Sequence, residues 1–376
     1  MKNTLKVLGM IAIITAIIFS FAACGDSGGG GTDFTNIEIP DPSIGTPDTS
    51  WYNGTNTAFT INTGDQLAGL AQLVNDGTND FSGKTITLGA NINLAAYGYG
   101  AAGWNSGNGW IPISYFNGIF NGNNKTISNL YINDDNYGYA GLFGYIWGGT
   151  VKNLNLVIDS HGVNGGDYTG GIVGYIEHGT IEKCSVTGGP VSGWFDIGGV
   201  VGSSYGIVNE CYAAVAVSGT DECVGGIAGY IDYIINNCYS TGSVSGTSNY
   251  VGGISGEFGG SMTNCYATGA ISSPGNCVGG IVGYIYSGGS ITACVALNST
   301  ISGGSNVGRI IGLGGTLANN YALSTISDYG NTGAGNLDGA DVSAANAKKA
   351  VTYSSIGWDM TTVWKIAENS GYPSLR

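Results

Sequence analysis

Charge is scarce in this chain, and positive charge scarcest: 11 lysine and arginine residues stand against 25 acidic ones among 376. Phosphate backbones are held by clustered lysine and arginine, so nucleic acid is excluded as a natural partner. The two histidines are His161 and His178, and no cysteine pair has C-x2-C spacing, so neither a zinc nor an iron–sulfur site is legible and no cofactor is expected. A serine or cysteine hydrolase needs a nucleophile motif and a well-placed histidine, and both are missing. Lyase chemistry calls for a strong base and a cation facing the sugar carboxylate, yet the cations of residues 136–325 are Lys152, Lys183 and Arg309. Asp167, Asp196, Asp221, Glu222 and Asp232 could supply the carboxyl pair of a glycosidase, but their irregular placement reads as turn chemistry. The expectation is a protein that binds or builds, with no catalytic and no metal-ligating residue.

Long apolar runs are equally rare. Residues 7–19 form one, behind Lys2 and Lys6 and ahead of Ala22, Ala23 and Cys24. A positive start, a short apolar run and small residues at a cleavage point spell an export signal, since a spanning helix needs about 20 apolar residues. The segment resembles a bacterial lipoprotein signal, with Phe21 departing from the usual aliphatic residue. That resemblance implies lipidation at Cys24 and a membrane as partner through the lipid anchor, at the cell envelope and by expectation the outer membrane or cell surface. Residues 25–50 are mostly Gly, Ser, Asp, Thr and Pro, which cannot build a core and read as a tether. Without Lys2 and Lys6 nine basic residues face 25 acidic ones, a balance that suits solubility outside a cell or loose binding of divalent cations.

What the chain has in excess is glycine, 69 residues of it, in a strict order. GLFGYI at 141–146, GGIVGYI at 170–176, GGVVGSS at 198–204, GGIAGYI at 225–231, GGISGEF at 252–258 and GGIVGYI at 279–285 are followed by a degenerate GRIIGLG at 308–314. Counted at the residue before the first aliphatic one (Gly141, Gly171, Gly199, Gly226, Gly253, Gly280 and Arg309), successive blocks step by 30, 28, 27, 27, 27 and 29 residues. So steady a period is the mark of a solenoid. Second runs such as TIEKCSVTG, IINNCYSTG and SMTNCYATG follow each block, and third runs such as GSVSG close the unit. These runs are too short for helices and are punctuated by turn residues, so they read as strands.

The expected fold is therefore all-β: a single-stranded parallel β-helix, or β-solenoid, of about 27 residues and three short strands per coil. Right-handedness follows from the general preference of parallel connections. Alternation places Ile172, Gly174 and Ile176 inward and Val173 and Tyr175 outward, giving a core ladder through Leu142, Ile172, Val200, Ile227, Ile254 and Ile281. Thr63 and Gln66 match a capping box ahead of Leu67, Leu70, Ala71 and Val74, which predicts a short N-terminal helix covering the first coil. The chain divides into a signal (1–23), a tether (24–50), a capping helix with irregular first coils (51–135), the regular solenoid (136–325) and a C-terminal capping segment (326–376), whose aromatic groups are expected to close the core.

The G-[LI]-x-G-Y-I blocks resemble the GLUG repeat of bacterial surface and secreted proteins. FNGIFNGNNKTISNLYI and GLFGYIWGGTVKNLNLVI resemble the lead-in such proteins carry, and TVWKI…GYPSL their closing segment. The resemblance implies a β-solenoid in adhesin-like surface proteins and assigns no catalytic residue. Ser114, Ser203, Ser204, Glu257 and Arg309 depart from it.

Two residue rows remain. Cys184, Cys211, Cys238, Cys265 and Cys294 recur one coil apart, and side chains on adjacent rungs point the same way, which favours buried thiols over disulfides. Cys223 and Cys277 recur two coils apart. Tyr145, Tyr175, Tyr230 and Tyr284 share one repeat position, while Tyr212, Tyr239 and Tyr266 follow the cysteines. Outward tyrosine rows either offer amphipathic contact to a host or matrix protein or a glycan, or merely pack across strands. The expected role is a non-enzymatic, adhesin-like or scaffolding surface; a purely structural envelope role competes with it, and a lyase or glycosidase on a β-helix comes third.

Overall fold

The computed structural model describes residues 45–376, except 102, 328, 331, 332 and 334 and the side chain of 287. The export signal, Cys24 and most of the tether lie outside the described residues.

Short strands stack on their copies one coil away, in parallel and in register. Val191, Val217, Val244, Ile271 and Ile301 form one such column. A seven-stranded parallel sheet running from Tyr139–Ala140 to Ser305–Gly308 makes one side, and a larger sheet wraps the others. Stacking at the ~4.8 Å rung spacing lets each strand satisfy its backbone groups above and below, which no single coil could do alone. The solenoid expectation thus holds, with a finer division: the coil from Val224 to Gly246 contains five short strands, Val224–Gly225, Ala228–Ile231, Ile234–Asn236, Tyr239–Ser240 and Val244–Gly246, where three runs were expected.

The extra corners have a backbone cause. Asn153, Lys183, Glu210, Asn237, Asn264, Ala293 and Asn319 all have φ between 51 and 57°, each one residue ahead of Leu154, the cysteine ladder or Asn320. A second column, Asp196, Cys223, Tyr250, Cys277 and Asn306, does the same with φ from 50 to 65°. Left-handed backbone turns the chain sharply, and asparagine tolerates it best after glycine. Side chains reinforce the first column: the amide of Asn264 donates to Asn237 Oδ1 at 3.2 Å. Glycines serve close approach elsewhere; a Cβ at Gly242 would collide with the Val215 carbonyl one coil below.

Leu142, Ile172, Val200, Ile227, Ile254 and Ile281 are fully buried, as the ladder requires. Strict alternation fails at their neighbours, because Val173, Val201, Ala228 and Val282 are equally buried. The glycine pair puts a bend at this point, and the N–H groups of Ile172 and Val173 both donate to the Val200 carbonyl, so two consecutive residues turn into the core. Alternation resumes at Tyr175, half-buried, and Ile176, buried. The cysteine ladder consists of buried free thiols, whose Sγ atoms donate to the carbonyl two residues earlier, as in Cys238 to Asn236 at 3.1 Å.

The helix forms over Gly64–Asn75, with Thr63 Oγ1 accepting from Gln66 N and Leu67, Leu70, Ala71 and Val74 buried. Its last residue, Asn75, bonds Pro112 O and Ser114 N, so the helix packs beside the 112–114 segment. Trp51, Tyr52, Phe59 and Phe81 form an aromatic cluster around the first rung, and Phe81 continues it onto Phe116.

The C-terminal segment departs from its expected place. Ala340–Val342 adds a rung beside Tyr321–Leu323, and the chain then doubles back along a lateral face as a strap. Trp358 Nε1 donates to Ala293 O at 2.7 Å, Tyr266 Oη to Pro373 O at 2.5 Å and Trp364 Nε1 to Asn237 Oδ1 at 3.3 Å. The aromatic groups expected to close the end of the core therefore cover its side.

Candidate binding face

Sequence register decides which tyrosines meet. Tyr145 pairs with Tyr175, Tyr175 with Ser203, Ser203 with Tyr230, Tyr230 with Glu257, and Glu257 with Tyr284. Tyr145 and Tyr175 stack at 5.1 Å and 12°. Where Ser203 leaves a gap, Tyr205 leans in, 6.0 Å from Tyr175 and 5.6 Å from Tyr230. Glu257 leaves the second gap, and there Tyr286 stacks on Tyr230 at 8° with their hydroxyls 2.7 Å apart. Gly259 makes this possible, since a Cβ on it would strike the Tyr286 ring. Tyr284 stacks instead on Tyr250, at 5.0 Å.

A second column runs beside the first. The residues following Ile146, Ile176, Ser204, Ile231, Phe258 and Ile285 are Trp147, Glu177, Tyr205, Asp232, Gly259 and Tyr286. Aromatic and acidic side chains alternate down it as far as Asp232. Tyr145 Oη donates to Glu177 Oε2 at 2.5 Å, and burial, helped by that carboxylate, raises the Tyr145 hydroxyl far above its ordinary range. Burial first, then the Glu177 charge, pushes Tyr175 up to about 12, and burial also raises Tyr230 and Tyr286. These hydroxyls remain protonated donors at any ordinary pH.

Between rungs of this column lies a groove of about 440 Å³ whose walls include His178, Thr180, Tyr205, Ile207, Asp232 and Tyr233. Tyr205 and Tyr233 are 39% and 52% exposed. His178 Nε2 lies 3.8 Å from Glu177.

The other tyrosine row is not available for contact along its length. Tyr212, Tyr239 and Tyr266 stack at 4.9 Å within 5° of parallel, but Trp364 lies 6.0 Å from both Tyr239 and Tyr266. Tyr266 is buried under the strap, and Tyr145 is also buried, beneath Tyr115 and between Trp147 and Tyr175. The surface offered outward is carried by Tyr175, Tyr205, Tyr230, Tyr284 and Tyr286, with Trp147, Tyr139 and Tyr168 at one end.

Tyr205 and Tyr286 escaped the repeat-position argument because they replace missing members from the adjacent column. Tyr139 and Tyr168 stand one coil apart and stack at 17°, a spacing that could have found them.

Among the acidic residues read as turn chemistry, Asp196 has a distinct environment. Asp196 is buried, with Oδ1 lacking a hydrogen-bond partner, and burial followed by the charges of Glu257 and Asp167 lifts its carboxyl to about 7 against the pull of Ser203 and Cys223. Cys223 Sγ donates to Glu257 Oε2 at 3.3 Å. No three His, Cys, Asp or Glu side chains among the described residues converge as a metal site.

His161 Nδ1 contacts Asp159 Oδ1 at 2.7 Å and Ser160 Oγ at 3.5 Å. A charge-relay triad uses the two ring nitrogens for acid and nucleophile separately, so these three neighbours do not form one. Tyr99 stacks on the His161 ring at 3.5 Å, a platform far from the groove in sequence.

The register and the aromatic columns define a parallel β-solenoid repeat protein with one open aromatic–acidic face. More particularly, two of its coils carry the GLUG motif, whose family matches residues 165–191 and 220–245. It is 37% identical over 164 residues to halomucin of Haloquadratum walsbyi (strain DSM 16790 / HBSQ001), a match covering 42% of this chain and 2% of halomucin. A crystal structure from Bacteroides ovatus, provisionally named an immunoglobulin A1 protease, superposes with a TM-score of 0.56 at 25% identity, over 85% of this chain and 92% of that one.

Proposed function

We propose that this chain is a non-catalytic, envelope-anchored surface protein that holds an extended partner, glycan or protein, against the aromatic–acidic face. The observation that carries this reading is the pair of adjacent columns, Tyr145 to Tyr284 and Trp147 to Tyr286, kept open on one side while the strap covers the other tyrosine row. Rigid tyrosines offer large amphipathic contacts at little entropic cost, and stacking repeats them at fixed spacing. The export signal, the tether and the likeness to a protein named as a mucin support placement outside the cell. The name of the Bacteroides ovatus neighbour raises proteolysis as a rival, which product analysis tests.

The test is a screen of the full chain in detergent against matrix proteins and glycans, with product analysis of every incubated ligand. Binding that weakens when Tyr175, Tyr205 and Tyr230 are changed together to Ser, with folding intact by circular dichroism, supports the reading. Unchanged binding removes the face from it, and cleaved products overturn the non-catalytic assignment. Cys24→Ser is expected to move the protein from the membrane fraction to the soluble exported fraction; retention on the membrane counts against the lipid anchor.

A further inference from the structure

Stacked tyrosines present their edges to solvent, because each ring face is occupied by the next ring. Tyr145 on Tyr175 and Tyr230 on Tyr286 are of this kind. A chain of sugar rings laid face to face along the column therefore finds few open faces. The exceptions are Tyr205, tilted 45° and 49° to its neighbours, and Tyr233, which is 52% exposed. Both wall the groove, and Asp232 stands on Tyr233's rung, next to it in sequence and one coil on from Tyr205.

Charge narrows the partner further. Glu177 and Asp232 flank Tyr205 one rung on either side, and Glu257 stands in the adjacent column. No lysine or arginine lines the groove; the only basic side chain in it is His178, beside Glu177. Open tyrosine faces combined with carboxylates are what ammonium and guanidinium groups seek. Polysaccharides are mostly neutral or acidic, whereas polypeptides carry such cations routinely.

Spacing then sets the pattern. Glu177 and Asp232 are two rungs apart, about 9.6 Å at the ~4.8 Å rung spacing. A polyproline II strand rises ~3.1 Å per residue with three residues per turn, so its side chains return to one face every ~9.3 Å. Resting on the reading above, we propose that the face binds an extended, basic polypeptide segment with arginine or lysine at every third residue, one cation beside Glu177 and the next beside Asp232, with Tyr205 between them.

Two peptides of identical composition and charge test this: one with an Arg-Pro-Pro-Arg core and one with Arg-Arg-Pro-Pro. Both are fluorescently labelled and titrated with the full chain by polarisation at moderate salt, with neutral dextran as the glycan arm. The spaced peptide is expected to bind roughly tenfold more tightly than the clustered one. Asp232→Asn and Tyr205→Leu should each cost roughly threefold, as exposed ion pairs and cation–π contacts do, while Tyr205→Phe, which keeps the ring, retains binding. Equal affinity for the two peptides, or binding indifferent to both variants, overturns the proposal. Dextran binding lost in Tyr205→Leu overturns the basic partner while leaving the binding face standing, and no ligand sensitive to Tyr205 overturns both.

Discussion

Asp196→Asn tests a buried carboxyl whose environment opposes its charge. Asp196 occupies a left-handed corner with φ of 51°, is 3% exposed and leaves one oxygen unpaired. Burial, ahead of the nearby Glu257 and Asp167 charges, moves the carboxyl from 3.8 to about 7. The folded chain therefore keeps a proton that the unfolded chain gives up. Stability from this group is complete below about pH 3.8, falls as pH rises toward 7 and stays low above it. At about 1.4 kcal/mol per pH unit, the difference amounts to on the order of 4 kcal/mol. Asparagine keeps the shape, tolerates the left-handed backbone and cannot ionise. Urea unfolding followed by circular dichroism should find the variant more stable than the parent by up to about 4 kcal/mol near pH 8, with the gap closing toward pH 4. A variant no more stable at high pH, or a gap that does not change with pH, refutes the reasoning.

Trp364→Ala removes a fully buried anchor of the strap and should cost about 3–5 kcal/mol, seen as faster hydrogen exchange across residues 340–376 with the solenoid core unchanged. Gly242→Ala forces a Cβ against the Val215 carbonyl and should destabilise by about 1–3 kcal/mol in urea unfolding; a neutral effect would contradict the close approach of coils. Ala293, at φ of 57°, is the one alanine in its left-handed column, so Ala293→Gly should stabilise by about 1 kcal/mol in the same assay. Burial raises the thiols of Cys184, Cys238 and Cys265, so alkylation followed by mass spectrometry should leave them unmodified until denaturant is added.

The repeat and its core were readable because burial repeats. Ile172, Val200 and Ile227 hold one position, and the helix announced itself through Thr63 and Gln66. What could not be read depended on space rather than period. Val173 turns inward because two glycines bend the chain, and glycine spacing alone does not say which way. Tyr266 and Tyr212 look alike in their repeats, yet a strap beginning some eighty residues after Tyr266 buries the first of them. Tyr205 and Tyr286 belong to the face because Ser203 and Glu257 leave room, and their compensation crosses columns that a single-position alignment keeps apart. Asp196 looked like an ordinary turn acid, since nothing in its local sequence reveals the coils that close over it.

In-register stacking alone brings Trp147, Glu177, Tyr205, Asp232 and Tyr286 into one column. Spin labels at residues 147 and 286, five rungs apart, measure it directly by pulsed electron resonance on the full chain, with the buried native thiols left unlabelled. In-register coils predict one narrow distance near 24 Å between the backbone positions, from five rungs of ~4.8 Å, widened only by the label arms. A broad distribution, or a distance tens of ångströms longer, would show that the coils do not stack and that the face does not exist.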